Sequence, residues 1–220
     1  DALIKNADAA MYLAKERGRS NYQFFNASLS EAAYRTLELE ARLRQAMREN
    51  EFVLHYQPQV RIATAEVTGV EALIRWPQQN GSWIAPNDFI PVAEQRGLIR
   101  TLGAWVLREA CRQNRAWQLA GIAPIPVAVN LSMVQFRQRN FVQEVETVLA
   151  DTGLDPRFLA FELTESMLMD DAVELVRTLE RLRAMGVQLA IDDFGTGHSS
   201  LMHLKRLPID KLKIDRTFVR

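Results

Sequence analysis

Three short apolar runs in the second half of the chain share one pattern, and this pattern determines the architecture. Each run ends in an oxygen-bearing side chain: VAVN at 127–130, LAFE at 159–162 and LAID at 189–192. A helix-like stretch that ends at a glycine precedes each run. This alternation predicts parallel strands joined by right-handed helical crossovers. The strand-to-strand spacing of about thirty residues is typical of a (β/α) barrel.

The periodicity of the remaining chain predicts six strands, with helices between most of them. The predicted elements are a helix over 28–48, strands over 52–60 and 67–76, helices over 86–95 and 99–119, a strand over 126–132, a helix over 133–150, a strand over 158–165, a helix over 171–185, a strand over 187–193, a helix over 199–206 and a strand over 211–216. The first two strands are expected to form a hairpin. Because a closed barrel of this type needs about eight strands, we expect an incomplete α/β barrel.

Polar residues lie near the ends of five predicted strands. They are Glu71, Asn130, Glu162, Asp192 with Asp193, and Lys213. The carboxyl ends of parallel strands meet at one edge of the sheet, where α/β proteins build their sites. Carboxylate and amide oxygens without His or Cys favour Mg²⁺ or Mn²⁺ over Zn²⁺. Several carboxylates with room for two ions indicate metal-assisted attack on a phosphoryl centre.

Three charged residues near these strand ends, Lys213 among them, allow more than one interpretation. Lys213 needs anionic partners if it faces inward, and the neighbouring carboxylates favour an inward ion pair. For Lys211 we favour an outward position on an edge strand. Glu165 either contacts the residues that bind the metal, without binding it itself, or caps the following helix. We favour the first role.

Composition excludes several classes of partner. Lysine and arginine together number 27, as do aspartate and glutamate, so no overall positive field attracts a nucleic-acid polymer. No apolar run approaches membrane-spanning length. The single cysteine, Cys111, excludes an internal disulfide and fits a reducing compartment, and its helical spacing predicts a buried thiol. We therefore expect a soluble cytoplasmic protein.

The pattern divides the chain into three parts. Residues 1–26 contain one predicted helix and one short strand over 21–25, too little to bury a core, and are therefore expected to be the end of another domain. Residues 27–50 are predicted to form a linker helix, and residues 51–220 the main domain.

The ordered motifs of the main domain resemble those of EAL domains, the phosphodiesterases of cyclic di-GMP (c-di-GMP). The motifs are YQP at 56–58, EALIRW at 71–76, VNLS at 129–132, ELTE at 162–165, DDFGTG at 192–197 and KID at 213–215. The opening segment, with NADAAMY at 6–12, resembles the end of a GGDEF domain, the diguanylate cyclase module. GGDEF followed by EAL is a common tandem order.

The resemblance implies a modified TIM-type barrel with an antiparallel first strand, which hydrolyses c-di-GMP to linear pGpG with two Mg²⁺ or Mn²⁺ ions. The implied metal ligands are Glu71, Asn130, Glu162, Asp192 and Asp193. Lys213, Asp193 and Glu165 would have catalytic roles. The implied substrate-binding residues are Gln57, Leu73, Arg75 and Asp215. A homodimer could form through the glycine loop and the helix after it.

The family pattern continues for two more strands beyond Arg220, with a glutamate-rich motif and a glutamine. The 220 residues alone are therefore expected to be inactive or weakly active. We expect them to be the cytoplasmic part of a larger sensor, for which both a soluble and a membrane-bound form stay open. The sequence leaves two alternatives open. One is a receptor that binds c-di-GMP without cleaving it, and the other is an unrelated metal-dependent barrel of the enolase type.

Overall fold

The computed structural model describes residues 4, 7, 11, 27–169, 173–195 and 207–218. Its helices are α1 (Ala27–Glu49), α2 (Pro86–Gln95), α3 (Ile99–Leu119), α4 (Met133–Phe136), α5 (Phe141–Thr152) and α6 (Val173–Ala184). Its strands are β1 (Val53–Val60), β2 (Val67–Pro77), β3 (Trp83–Ile84), β4 (Val127–Asn130), β5 (Leu159–Thr164), β6 (Gln188–Phe194) and β7 (Lys211–Ile214). Short 3-10 turns lie at Pro156–Phe158, Glu165–Met169 and Arg216–Phe218.

The strands form a partial α/β barrel of the predicted type. Their order is β1-β2-β4-β5-β6-β7, and the two-residue strand β3 pairs with the end of β2. β1 runs antiparallel to β2, whereas each later neighbour along this path pairs in parallel. The hairpin, the antiparallel first strand and the parallel remainder are therefore all confirmed.

The pleat of the strands separates a polar inner face from an apolar outer face. Val127, Val129 and Phe161 point outward and are buried against the helices. The inner residues follow the register of the sheet, in which Asn130 lies beside Glu162. Since successive side chains alternate between faces, Glu71, Asn130, Glu162, Asp192 and Lys213 share the inner face.

The helix α1 packs against the main domain rather than standing apart from it. Its Leu43 and Ala46 are buried in a second cluster with Phe52, Trp76 and Phe89. The indole Nε1 of Trp76 donates a hydrogen bond to Glu51 at 2.9 Å. The carboxyl end of β2 is therefore held between α1 and α2.

Several predicted elements differ from the structure in their bounds, and for two of them the structure shows the reason. The single helix predicted over 133–150 is two helices, because α4 ends at Phe136 and the chain turns before Phe141. Ser132 and Gln135 form a capping box at the start of α4. The strand predicted over 211–216 ends at Ile214, since Asp215 accepts hydrogen bonds from Thr217 and begins a turn.

Some predictions fall outside the described residues: the helix over 199–206 and the strand over 21–25. Cys111 is buried, as expected. In the part of the chain that the structure describes, no helix combines the length and apolarity needed to cross a membrane.

Candidate active site

A lysine ammonium lies among three carboxylates at the carboxyl ends of the strands. The Lys213 Nζ is 2.5 Å from an oxygen of Glu162, 3.1 Å from Glu71 and 3.1 Å from Asp192. The predicted inward ion pair of Lys213 is thereby confirmed, with three partners rather than one. β2, β5, β6 and β7 each supply one side chain, so the cluster depends on the fold and not on any local segment.

The donor set and charge of this cluster fit a divalent cation. One oxygen from each of Glu71, Glu162 and Asp192 lies within 4.8 Å of the other two. Three carboxylates and one ammonium leave two net negative charges, and oxygen ligands of this kind suit Mg²⁺ or Mn²⁺. The Glu162 side chain is only 1% exposed, so water contributes little to balancing that charge.

Burial and neighbouring charges shift the pKa values of this cluster. Burial raises the pKa of Glu162, the hydrogen bond from Lys213 opposes that rise, and the charge of Glu71 adds to it. Burial alone would lower the pKa of Lys213, but the hydrogen bond and charge of Glu162, with Asp192 and Glu71, raise it overall. The ammonium therefore stays protonated across the physiological range of pH.

Two amide side chains extend the cluster. The Nδ2 of Asn130 donates to Glu71 at 2.7 Å, which directs this predicted ligand toward the carboxylates. The Nε2 of Gln59 lies 3.4 Å from Glu162, and the Gln59 Oε1 accepts a hydrogen bond from Lys211 at 2.5 Å. The outward position predicted for Lys211 is therefore wrong, because the curved sheet brings β7 across from β1.

Gln59 was missed by sequence reasoning, although the strand pattern contained a signal for it. Gln57 and Gln59 are two residues apart in β1 and share a face. Gln57 pairs with Glu71 in the β1–β2 register, so the same face of β1 must border the site.

At the end of β6, Asp192 belongs to the three-carboxylate cluster, whereas Asp193, the next predicted ligand, does not. Asp193 has a left-handed backbone with φ of 53° and is exposed, outside the three-carboxylate cluster. Burial, then the charges of Asp192 and Asp215, raise the pKa of Asp193. The buried Glu165 accepts a hydrogen bond from the backbone N–H of Gly195 at 2.8 Å. Glu165 therefore fixes the start of the glycine loop.

The residues predicted to bind substrate lie on the inner face of β2 and its neighbours. Leu73 and Arg75 follow Glu71 at intervals of two, and Gln57 lies opposite Glu71. A cavity of about 310 Å³ opens beside them, and its lining includes Leu73, Arg75, Asn130 and Thr164. Asp215 is exposed and hydrogen-bonded to Thr217; this contact lowers the pKa of Asp215.

The fold and this cluster together define a class of protein. The sequence profile of the EAL domain matches residues 40–220. The chain therefore belongs to the EAL domain family, a family of phosphodiesterases. The family implies divalent metal ions, for which the cluster of Glu71, Glu162 and Asp192 offers ligands.

Among known proteins, two relatives from Pseudomonas aeruginosa match nearly the whole chain. The bifunctional diguanylate cyclase/cyclic di-GMP phosphodiesterase MucR is 49% identical over 217 residues, which are 99% of this chain and 32% of that protein. The cyclic di-GMP phosphodiesterase NbdA is 45% identical over 219 residues, which are 100% of this chain and 28% of that protein. The chain thus spans about a third of the length of these relatives.

Solved structures support the same fold. The MucR phosphodiesterase in complex with c-di-GMP superposes with a TM-score of 0.79 at 49% identity, covering 83% of this chain and 74% of that chain. The cAMP-bound EAL enzyme Bd1971 gives a TM-score of 0.78 at 33% identity, covering 86% of this chain and 53% of that one.

Proposed function

We propose that this chain is the phosphodiesterase part of a protein that hydrolyses c-di-GMP to linear pGpG with two Mg²⁺ or Mn²⁺ ions. The observation that carries the proposal is the convergence of Glu71, Glu162 and Asp192 on Lys213 at the carboxyl edge of the barrel. The similarity to the MucR phosphodiesterase, whose structure is described as a c-di-GMP complex, supports the choice of substrate.

The metal ions would be held by Glu71, Asn130, Glu162, Asp192 and Asp193. When bound, such ions lower the pKa of water and neutralise charge on phosphoryl oxygens. Asn130 already donates its Nδ2 to Glu71, which leaves its amide oxygen available as a ligand. The two net negative charges of the cluster support an occupant with at least two positive charges.

Lys213 would act as a fixed cation rather than as a general base. Its carboxylate partners raise its pKa, so its Nζ carries no lone pair to accept a proton at physiological pH. A protonated ammonium at this place stabilises the negative charge that develops on a phosphoryl group under attack. Glu165 would act indirectly, since it holds Gly195, which directly follows the strand end that carries Asp192 and Asp193.

The substrate would lie across the inner face of β2. Gln57, Leu73 and Arg75 border the carboxylates on that face and would position the dinucleotide. Asp215 would contribute from the end of β7, where its carboxylate is solvent-accessible. The guanidinium of Arg75, which donates to the carbonyl of Ile74 at 2.9 Å, offers a cation for a phosphate.

We propose the domain division predicted from the sequence: the end of a GGDEF-like domain over 1–26, a linker helix over 27–50 and the EAL domain over 51–220. MucR, described as a bifunctional cyclase and phosphodiesterase, matches across 217 residues and supports the first assignment. The chain would then be the output part of a longer cytoplasmic signalling protein. Weak activity of residues 1–220 alone and a homodimer through the glycine loop stay predictions.

The test is hydrolysis by the full-length protein. We expect c-di-GMP to be converted to pGpG with Mg²⁺ or Mn²⁺ and not in EDTA, as measured by chromatography. Glu162→Gln should abolish turnover, whereas Glu144→Gln, a partly buried carboxylate on α5, should not. Binding of c-di-GMP without hydrolysis in the presence of metal would refute the proposed phosphodiesterase activity. It would favour the alternative of a receptor that binds c-di-GMP without cleaving it.

A further inference from the structure

Trp83 is a half-exposed aromatic residue near the inner face of β2, where we propose that the substrate binds. Its exposed fraction is 50%, whereas Trp76, with which its neighbour Ile84 pairs, is 1% exposed. Ile84 packs on the apolar cluster beneath β2. Since side chains alternate along a strand, Trp83 points to the opposite side, which is the inner face of the barrel.

The contacts of Trp83 place its ring above β1. Trp83 pairs with Pro77, which shares the face of β2 that carries Leu73 and Arg75. Its ring lies edge-to-face with His55, with ring centroids 5.3 Å apart. His55 in turn pairs with Leu73, which lies two residues, roughly 7 Å along the strand, from Glu71. The indole therefore lies on the same side of β1 and β2 as the carboxylate cluster.

The opposite flank of β2 is also open. The cavity of about 310 Å³ is lined from the β4 side by Asn130, Leu131 and Ser132, and it includes no residue of β1. Trp83 is not part of its lining. The carboxyl end of β2 near Arg75 thus has an exposed aromatic side chain on the β1 side and a pocket on the side of β4, α2 and α3.

We propose that Trp83 binds one purine base of the cyclic dinucleotide by stacking. A ligand with two bases joined by phosphates can place one phosphate at the guanidinium of Arg75, which borders the carboxylate cluster, and one base against the exposed indole. His55 contacts the ring in an edge-to-face arrangement, and half of the Trp83 side chain stays exposed to solvent. Stacking on an aromatic side chain is worth about 1–3 kcal/mol per base in nucleic-acid binding proteins.

This proposal rests on the proposed function, and binding measurements separate the two. In the full-length protein with EDTA, which prevents turnover, calorimetry should show c-di-GMP binding about 5- to 150-fold more weakly to Trp83→Ala than to the wild type. Trp83→Phe keeps a stacking surface and should lose less than about fivefold. With Mn²⁺ present, Trp83→Ala should raise KM and leave kcat near the wild-type value, since stacking acts equally on bound substrate and transition state.

Intrinsic fluorescence gives a readout that a purely structural role would not change. Addition of c-di-GMP should quench the wild type and leave Trp83→Phe nearly unchanged, because the exposed indole is the one that meets the base. Equal affinity of the wild type and Trp83→Ala, or equal quenching of the wild type and Trp83→Phe, overturns the proposal for Trp83 alone. Absence of both c-di-GMP binding in EDTA and c-di-GMP hydrolysis in Mn²⁺ by the wild type overturns the proposed function and this inference with it.

Discussion

Replacement of Lys213 by methionine tests whether the charge cluster is organised as described. Lys213→Met keeps the length of the side chain and removes the ammonium that three carboxylates share. Glu71, Glu162 and Asp192 then repel one another in a site where Glu162 is almost fully buried. We expect the metal-free protein to be destabilised and divalent cations to restore its stability.

The structure sets the size of the effect. Removing one partner of a buried ion pair costs about 3–5 kcal/mol, and the lower end applies because the Lys213 side chain is 23% exposed. For a domain of this size, about 3 kcal/mol corresponds to a fall in Tm of roughly 6–12 °C. Without the ammonium, the pKa of Glu162 rises further above its unfolded value. The loss of stability caused by Lys213→Met should therefore be smaller at about pH 5 than at about pH 8. Protonated Glu162 no longer repels its neighbours, and this relief is lost as the pH rises through the pKa of Glu162.

The assay is thermal unfolding of the full-length protein in EDTA and in Mn²⁺. Lys211→Met is the matched control, because the Lys211 Nζ donates to the neutral side chain of Gln59, and its Tm should change by less than about 2 °C. Mn²⁺ should raise the Tm of Lys213→Met more than that of the wild type, since a bound cation then replaces the lost charge. A Tm for Lys213→Met in EDTA equal to that of the wild type would refute the reasoning.

Two further predictions concern the core around α3. Asn114→Leu should lower the free energy of unfolding in urea by about 2–4 kcal/mol. The reason is that the buried Asn114 Nδ2 donates to the carbonyls of Ile125 at 3.0 Å and Phe158 at 3.1 Å. A loss below about 0.5 kcal/mol, as expected for the exposed control Gln143→Leu, would contradict the prediction. Burial raises the pKa of Cys111 to about 12. Iodoacetamide at about pH 8 should therefore label Cys111 in the unfolded chain and not in the native one. Equal labelling rates in the native and unfolded chains would contradict the burial of this thiol.

The architecture was predictable because its signals are local. Glycine-ended helices and strand-like runs recur with one spacing, and the structure confirms parallel strands wherever that pattern occurs. The bounds of α2 and α3 also follow from sequence. The break between α4 and α5 was readable too, since Ser132 and Gln135 have the spacing of a capping box. The apolar periodicity across 133–150 obscured that signal.

The carboxylates of the site were predictable for the same reason, whereas their partners were not. Parallel neighbours align their carboxyl ends, so Glu162 and Asp192 were expected to lie close together, and in the β5–β6 register Asp192 pairs two residues beyond Glu162. The contact between Gln59 and Lys211 depends on the curvature that brings β1 toward β7, and no local pattern encodes that curvature. The position of Trp83 depends on β3, and a strand of two residues is too short to show a period of two.

Close approaches between helices could not be predicted from the sequence either. A Cβ on Gly103 of α3 would lie 1.8 Å from the Nε2 of Gln135, so this glycine leaves room for the side chain that caps α4. The need for a glycine at this position comes from a residue more than thirty positions away, and it is visible only after the two helices are packed.

The most direct test of the central claim is a measurement of Mn²⁺ binding to the full-length protein by electron paramagnetic resonance. The account predicts that the wild type binds Mn²⁺, and that Glu71→Gln, Glu162→Gln and Asp192→Asn each weaken this binding at least about tenfold. Glu144→Gln should leave it unchanged. Equal Mn²⁺ affinity in the wild type and in the three cluster variants would contradict the assignment of this site.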